Sequence, residues 1–207
     1  MTIRIGDTAP NFTAPTTQGE ITLHDWAKGG WVFFFSHPAD FTPICTTEMG
    51  MTAKHAADFA ARNVKPLGLS TDSVEEHEKW VADVEDTQGV SLGFPIVADP
   101  ELEVARAYDM IHPEASDTAT VRSVFIIDPA MKVRLMMTYP MNVGRNFDEI
   151  IRVIDALQIA DEKTVALPAN WRPGERVIIP LSLDDDAAKA KFGEFEAPRP
   201  YLRMTSV

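Results

Sequence analysis

The chain contains a single cysteine, Cys45, in 207 residues. That excludes an internal disulfide, the disulfide-stapled secreted scaffold and any Cys-x-x-Cys redox or zinc pair. Basic residues are scarce, 19 against 31 acidic, for a net charge of -12. A phosphate-tracking surface is hard to build from that balance, so nucleic acid is not an expected partner. No apolar run reaches membrane-spanning length, so no membrane partner is expected either. Met1-Thr2-Ile3-Arg4 runs directly into Gly6-Asp7 and Pro10, without the apolar core of a signal peptide. The histidines show no metal-ligand spacing. The expectation is a cytoplasmic protein whose thiol is kept reduced.

What is present is an ordinary globular composition, 45% hydrophobic and 24% charged, long enough for one domain plus an extension. Trp31-Val32-Phe33-Phe34-Phe35 is apolar at successive positions, which suits a strand covered on both faces. Pro38 ends that run, and Thr42-Pro43 opens a helix with Cys45 in its first turn. Pro43 pushes Thr42 out of the helical region and is itself at home at the first helical position, so Thr42 becomes the N-cap. In such a turn backbone N–H groups lack partners and the helix dipole favours a thiolate. The helix end alone falls short. Lowering a thiol pKa from about 8.5 to about 6 takes roughly 3.4 kcal/mol, whereas a helix terminus is worth about 0.3–1 kcal/mol. A working thiolate at Cys45 therefore needs a cation from elsewhere in the chain.

Taken in order, residues 1–30 form an N-terminal elaboration with short strands at 9–12 and 21–23 and a turn at 16–19. A strand at 31–36 and a helix over 43–62 make the first β-α unit. Val64–Ser70 reads as a strand and 74–84 as a helix, with Ser73 and Glu76 at capping-box spacing. Residues 93–98 read as a short strand and 101–108 as a short helix. Strands at 121–127 and 132–138 are spaced as a hairpin. Apolar residues at 147, 150, 151, 154 and 157 carry the 3.6 period of a half-buried helix over 146–159. This order predicts an α/β fold with a mixed central sheet. Prolines 168, 173, 180, 198 and 200 punctuate the C-terminal stretch, so 1–161 is expected to be the main domain and 162–207 a small C-terminal extension. Asp184-Asp185-Asp186 reads as N-terminal charge ahead of a short helix.

Pro38-Ala39-Asp40-Phe41-Thr42-Pro43-Ile44-Cys45 resembles the Pro-x-x-x-Thr-x-x-Cys motif of the peroxiredoxins, and Thr46-Thr47-Glu48 continues the likeness. Val121-Arg122-Ser123-Val124-Phe125-Ile126-Ile127-Asp128 resembles the strand carrying that family's active-site arginine. Gly144-Arg145-Asn146-Phe147-Asp148-Glu149-Ile150 resembles the entry to its late helix. Ser36-His37-Pro38, the lone cysteine and an extension ending in Tyr201-Leu202-Arg203 are similar to the one-cysteine subfamily. The resemblance runs over essentially the whole chain. It implies a thioredoxin-like fold and a thiol-dependent peroxidase that reduces hydrogen peroxide and organic hydroperoxides through a cysteine sulfenic acid, without metal, haem or flavin. It makes Cys45 the nucleophile, Thr42 a hydrogen-bonding partner of the peroxide, Pro38 a shield against water and Arg122 the missing cation. His37, Glu48 and Arg145 would hold those groups in place. With no second cysteine, the resemblance implies an external thiol or other small reductant. It also implies a homodimer able to assemble further, with 162–207 as the dimerisation element. Some one-cysteine relatives carry a phospholipase-type activity on the serine of a Gly-Asp-Ser-Trp-Gly stretch. Here Lys28-Gly29-Gly30-Trp31 has no serine, and that activity is not implied.

Plainer readings compete at each position. Thr42 is equally an N-cap, Pro38 a strand breaker, and Arg122, flanked by valines, a solvent-facing strand residue. Arg145, just before a helix, suits a surface. Glu48, one turn beyond Cys45, opposes a thiolate unless a cation or hydroxyl pairs with it. His37 could serve Cys45 as base in a cysteine-hydrolase pair. His24, His55, His77 and His112 read as surface or structural residues. Two other functions stand beside the peroxidase: a peroxide-responsive holdase with Cys45 as its switch, and a disulfide oxidoreductase, which the missing Cys-x-x-Cys disfavours.

Overall fold

The computed structural model describes residues 2–207, in two units that meet at Phe147 and Asp148. In the first, the chain runs β1 (Thr13–Thr16), β2 (Gly19–Thr22), α1 (Leu23–Ala27), β3 (Trp31–Ser36), α2 (Pro43–Lys54) and α3 (Ala56–Ala61). It continues through β4 (Val64–Ser70), α4 (Val74–Gln88), β5 (Ile96–Ala98), α5 (Glu103–Ala107), β6 (Arg122–Ile127) and β7 (Val133–Tyr139). The strands form one mixed sheet in the order β2-β1-β5-β4-β3-β6-β7. Strands β3, β4 and β5 are parallel neighbours, while β6 and β7 complete one side antiparallel and β1 pairs antiparallel with β5. The expected α/β architecture with a mixed central sheet is the one observed.

Every residue of β3 is buried, as its unbroken apolar run requires. Successive side chains leave opposite faces. Phe33 and Phe35 stack at 4.7 Å on one side, with Phe59 of α3 5.2 Å from Phe33. Phe34 packs on the other side against Tyr108 at 4.8 Å and Phe12 at 5.8 Å. The strand is thus clamped between two layers, and its C-terminal end is a rigid base for the loop that leads to α2. On the β6 side, Phe35 pairs with Val124. Continuing that antiparallel register by two residues brings Arg122 alongside the start of the loop. The sheet itself carries the cation to the thiol.

Three local expectations need correction. The first N-terminal strand lies at 13–16 rather than 9–12. Residues 9–12 are instead tied irregularly to the core: Ala9 N–H donates to the Met131 carbonyl, the Tyr108 hydroxyl donates to the Pro10 carbonyl, and Phe12 covers Phe34. The helix expected over 43–62 is broken at His55, whose backbone leaves helical geometry (φ -88, ψ 11). Its ring lies parallel to that of Phe147, 5.9 Å away, and its Nδ1 bonds Asp58. The short strand at 93–98 is limited to Ile96–Ala98. The expected capping box forms: Ser73 Oγ accepts from Glu76 N–H, and the Glu76 carboxylate accepts from Ser73 N–H.

The second unit contains most of α6 (Phe147–Lys163), then β8 (Val177–Ile178), α7 (Asp185–Phe192), β9 (Glu196–Arg199) and β10 (Leu202–Thr205). The strands make a small sheet in the order β8-β10-β9. Val165, Trp171 and Val177 form its core, with Ala156 and Ile159 of α6 packed against them. The change of composition at Asp161 therefore falls in the last turn of a helix that already serves this unit. Asp184 caps α7 through Ala187 N–H at 2.8 Å, which places the acidic run at a helix start as expected. No helix among the described residues is long and apolar enough to cross a membrane.

Candidate active site

Cys45 lies in the first turn of α2, fully buried. Thr42 occupies the N-cap position with extended backbone and Pro43 follows at the first helical position, as their sequence order dictates. The first intrahelical bond is Thr46 N–H to the Thr42 carbonyl at 3.0 Å, so Cys45 N–H precedes it. The Thr42 side chain does not cap the helix. Its hydroxyl donates instead to the Ala39 carbonyl at 2.9 Å. With its one proton committed there, the Thr42 oxygen can meet a hydroperoxide O–H only as an acceptor. Pro38 is buried in the same loop.

Arg122 supplies the cation. Its Nη1 donates to Cys45 Sγ at 3.3 Å and to Glu48 Oε2 at 2.7 Å. The other edge of the guanidinium is locked, with Nε and Nη2 both donating to the Met141 carbonyl at 3.0 and 2.8 Å. Glu48 also receives Arg145, through its backbone N–H at 2.9 Å and its Nη1 at 3.2 Å. Arg145 Nη2 donates to the Ser36 carbonyl, and its guanidinium lies 5.1 Å from the centre of the Phe35 ring. All three charged side chains are buried, Arg122 and Glu48 to 2% exposure and Arg145 to 7%.

Two guanidinium groups and one carboxylate leave one unit of positive charge in a buried place, which is costly unless a counter-charge is near. The Cys45 sulfur, bonded to Nη1, is where an anion would balance that charge. Burial lowers the Arg145 pKa to about 10; Glu48 pulls it back up, and the Arg122 charge adds to the lowering. Glu48 is thus paired with cations, the condition under which its charge is compatible with a thiolate nearby. It holds both arginines.

Cys45, Thr42, Pro38, Arg122, Glu48 and Arg145 are brought together at the β3–α2 junction, and Arg122 and Arg145 are not surface residues. His37 has a different place. Its Nε2 bonds Asp40 Oδ1 at 2.8 Å and its Nδ1 has no hydrogen-bond partner, so it makes no Cys–His pair. Burial is the main reason its pKa falls below the ordinary imidazole value, which keeps it neutral. Asp40 Oδ2 in turn bonds His77 Nδ1 at 2.6 Å. Of the two roles the sequence leaves open for His77, surface or structural, the structure selects the second, since the ring is fully buried. The available signal is its spacing with Trp80 and Val84, all on the buried side of α4. The Met141 carbonyl, a backbone group in a loop, leaves no signal in the sequence.

His37, Asp40 and His77 are also the one cluster among the described residues whose donor atoms all lie within 4.8 Å of one another, as a metal site would need. Ligands held about 2.0–2.1 Å from a zinc ion stand about 3.3 Å apart. Here Asp40 meets the two rings at 2.8 and 2.6 Å, distances that suit shared protons rather than an ion between them.

Comparison with known proteins identifies the family. Residues 5–136 match the AhpC/TSA family, and residues 156–194 match the C-terminal domain of 1-Cys peroxiredoxin. Peroxiredoxin PRX1, mitochondrial, of Saccharomyces cerevisiae is 50% identical over 98% of this chain and 80% of its own length. The 1-Cys peroxiredoxin of Dictyostelium discoideum is 47% identical over 98% of this chain and 85% of its own. The structure of the yeast mitochondrial 1-Cys peroxiredoxin, solved to explain thiol resolution via glutathione/thioredoxin systems, superposes with a TM-score of 0.95. It is 49% identical and both chains are covered completely. A buried cysteine at a helix start, an arginine on its sulfur and no second cysteine thus accompany a family likeness that spans the chain: it belongs to the AhpC/TSA family as a one-cysteine peroxiredoxin, a thiol-dependent peroxidase.

Proposed function

We propose that Cys45 is the peroxidatic nucleophile, with Arg122, Thr42 and Pro38 as the groups that make its reaction fast. The observation that carries this reading is the Arg122 Nη1 contact to Cys45 Sγ, 3.3 Å long and fixed by Glu48 and Met141. The Cys45 thiolate attacks the terminal peroxide oxygen, and an S–O bond forms as the O–O bond breaks. The leaving oxygen departs as hydroxide or alkoxide and takes a proton from solvent, leaving cysteine sulfenic acid. Arg122 N–H groups, already oriented, stabilise the charge that develops on the oxygens. Thr42 accepts from the peroxide O–H and so turns its terminal oxygen toward sulfur. Pro38 keeps water from the thiolate. Glu48 and Arg145 hold Arg122 in place, and His37 acts on the loop rather than on the sulfur.

Because Cys45 is the only cysteine, the sulfenic acid is resolved from outside. One thiol condenses with it to a mixed disulfide and water, and a second thiolate displaces Cys45 from that disulfide. The yeast relative is resolved via glutathione/thioredoxin systems, which supports a small thiol or a dithiol protein as the reductant here. Hydrogen peroxide and organic hydroperoxides are the substrates. A thiol chemistry of this kind fits a reducing compartment such as the cytoplasm, although one relative's name places that protein in the mitochondrion. Residues 162–207 serve as a dimerisation element of a homodimer.

The test is Cys45→Ser. It abolishes peroxide consumption with any thiol reductant while far-UV circular dichroism stays unchanged. Turnover retained by that variant would refute the assignment.

A further inference from the structure

We propose that Asp40 and His77 form a buried carboxylate–imidazolium pair that positions the 37–42 loop for the reaction at Cys45. The inference rests on Cys45 as the reacting residue but concerns groups that do not touch it. Its first support is proton bookkeeping on the hydrogen bonds. His77 Nε2 faces the Val97 carbonyl at 3.2 Å, and a carbonyl only accepts, so Nε2 carries a proton. His77 Nδ1 faces Asp40 Oδ2 at 2.6 Å. The Asp40 carboxyl is destabilised as an anion by burial, yet its bonds to His37 and His77 outweigh that and hold its pKa below the usual carboxylate value. With Asp40 ionised its oxygens only accept, so Nδ1 would carry the second proton, which is the imidazolium of the proposed pair. His37, with Nε2 on Asp40 and Nδ1 unpartnered, is the neutral ring. The other acids at this place are committed elsewhere: Asp72 accepts from Asp40 N–H and Ser70 Oγ, and Glu76 closes the capping box.

The second support is the backbone. Phe41, between Asp40 and Thr42, has φ +52, a left-handed conformation that a bulky residue holds only where its neighbours enforce it. On its N-terminal side those neighbours are His37, whose N–H donates to the Leu69 carbonyl and whose carbonyl accepts from Thr120 Oγ1, and Asp40. On its C-terminal side Thr42 is tied back to Ala39. The Asp40 side chain carries the link from this loop to His77 of α4. Released from His77, Phe41 relaxes and Thr42 moves away from the peroxide position. Asp40 and His77 are thus positioning residues. Trp80 of α4 adds a parallel brace, its ring 5.0 Å from that of His37 and its Nε1 donating to Thr46 Oγ1 at 3.2 Å.

Asp40→Asn discriminates, because an amide can satisfy the same partners with one proton fewer. Its oxygen accepts from His37, and its NH₂ donates to a neutral His77 Nδ1, while Nε2–H stays on Val97. Nitrogen-15 NMR of the imidazoles at pH 7 is expected to show both His77 nitrogens protonated in the wild-type chain and only Nε2 in Asp40→Asn. A singly protonated His77 in the wild type would overturn the pair. In stopped flow, Asp40→Ala is expected to slow oxidation of Cys45 by hydrogen peroxide about tenfold or more, and Asp40→Asn to stay within about threefold of wild type. His77→Phe, which removes both donors but keeps a ring in the core, repeats the Asp40→Ala result if that variant does not fold. Equal impairment in Asn and Ala, or none in Ala and Phe, would overturn the positioning role. A wild type that fails to react with peroxide would count against the Cys45 reading alone, since the NMR result stands without it.

Discussion

Arg122 divides one NH₂ group between the Cys45 sulfur and the Glu48 carboxylate, while its other edge grips a backbone carbonyl. Only a planar fork can do this. A lysine ammonium carries the same charge but has its three donors on one atom and cannot reproduce four contacts spread over three nitrogens. Arg122→Lys is therefore expected to keep the fold and lower the rate of Cys45 oxidation by about 10²–10³, read by stopped flow. Titration of two buried residues gives a second prediction. His37 has its pKa lowered from 6.5, so the unfolded chain binds more protons below that pH and stability falls as pH drops through and under 6.5. Asp40 has its pKa lowered from 3.8, so its stabilisation is present above that value and is lost as pH falls from 3.8 toward the lower folded value. Urea denaturation across this range should show both losses, and Asp40→Asn should lack the second. At this scale Cys45, Thr42 and Arg122 are legible in the sequence because each belongs to a local motif. The Asp40–His77 contact joins residues 37 positions apart, and no local pattern announces it.

At the scale of elements, β3 is the scaffold. Its continuous apolar run can be read directly, since a strand buried on both faces has no other use for five large side chains. Phe34 packs among Tyr108, Phe12 and Phe125, and Phe34→Ala should cost about 3–5 kcal/mol in the urea-derived stability. A cost below about 1 kcal/mol would mean that the layer on that face is not tightly packed. The capping box at α4 is legible because its signature is four residues long. The break at His55 is not, since 56–61 are good helix formers and the interruption accompanies a ring, Phe147, distant in sequence. Nor is the start of α5, where Leu102 takes φ +60 without a glycine to mark it.

For the whole molecule, the sequence shows two regions but not where they divide. Proline spacing marks the change at 161, whereas the core of the second unit recruits Ala156 and Ile159 from the preceding helix. Sedimentation equilibrium at micromolar concentration tests the proposed assembly: a dimer or a multiple of it is expected, and a monomer alone would refute it. Everything proposed for this site turns on whether a buried thiolate held by Arg122 reduces peroxide. The most direct test is one equivalent of hydrogen peroxide mixed with the reduced protein in stopped flow, followed by dimedone trapping and peptide mass spectrometry. Stoichiometric oxygen transfer to Cys45 is expected, at least about a thousandfold faster than to a free thiol in the same buffer. Oxidation at the rate of a free thiol, or landing on methionine instead of Cys45, would contradict the proposal.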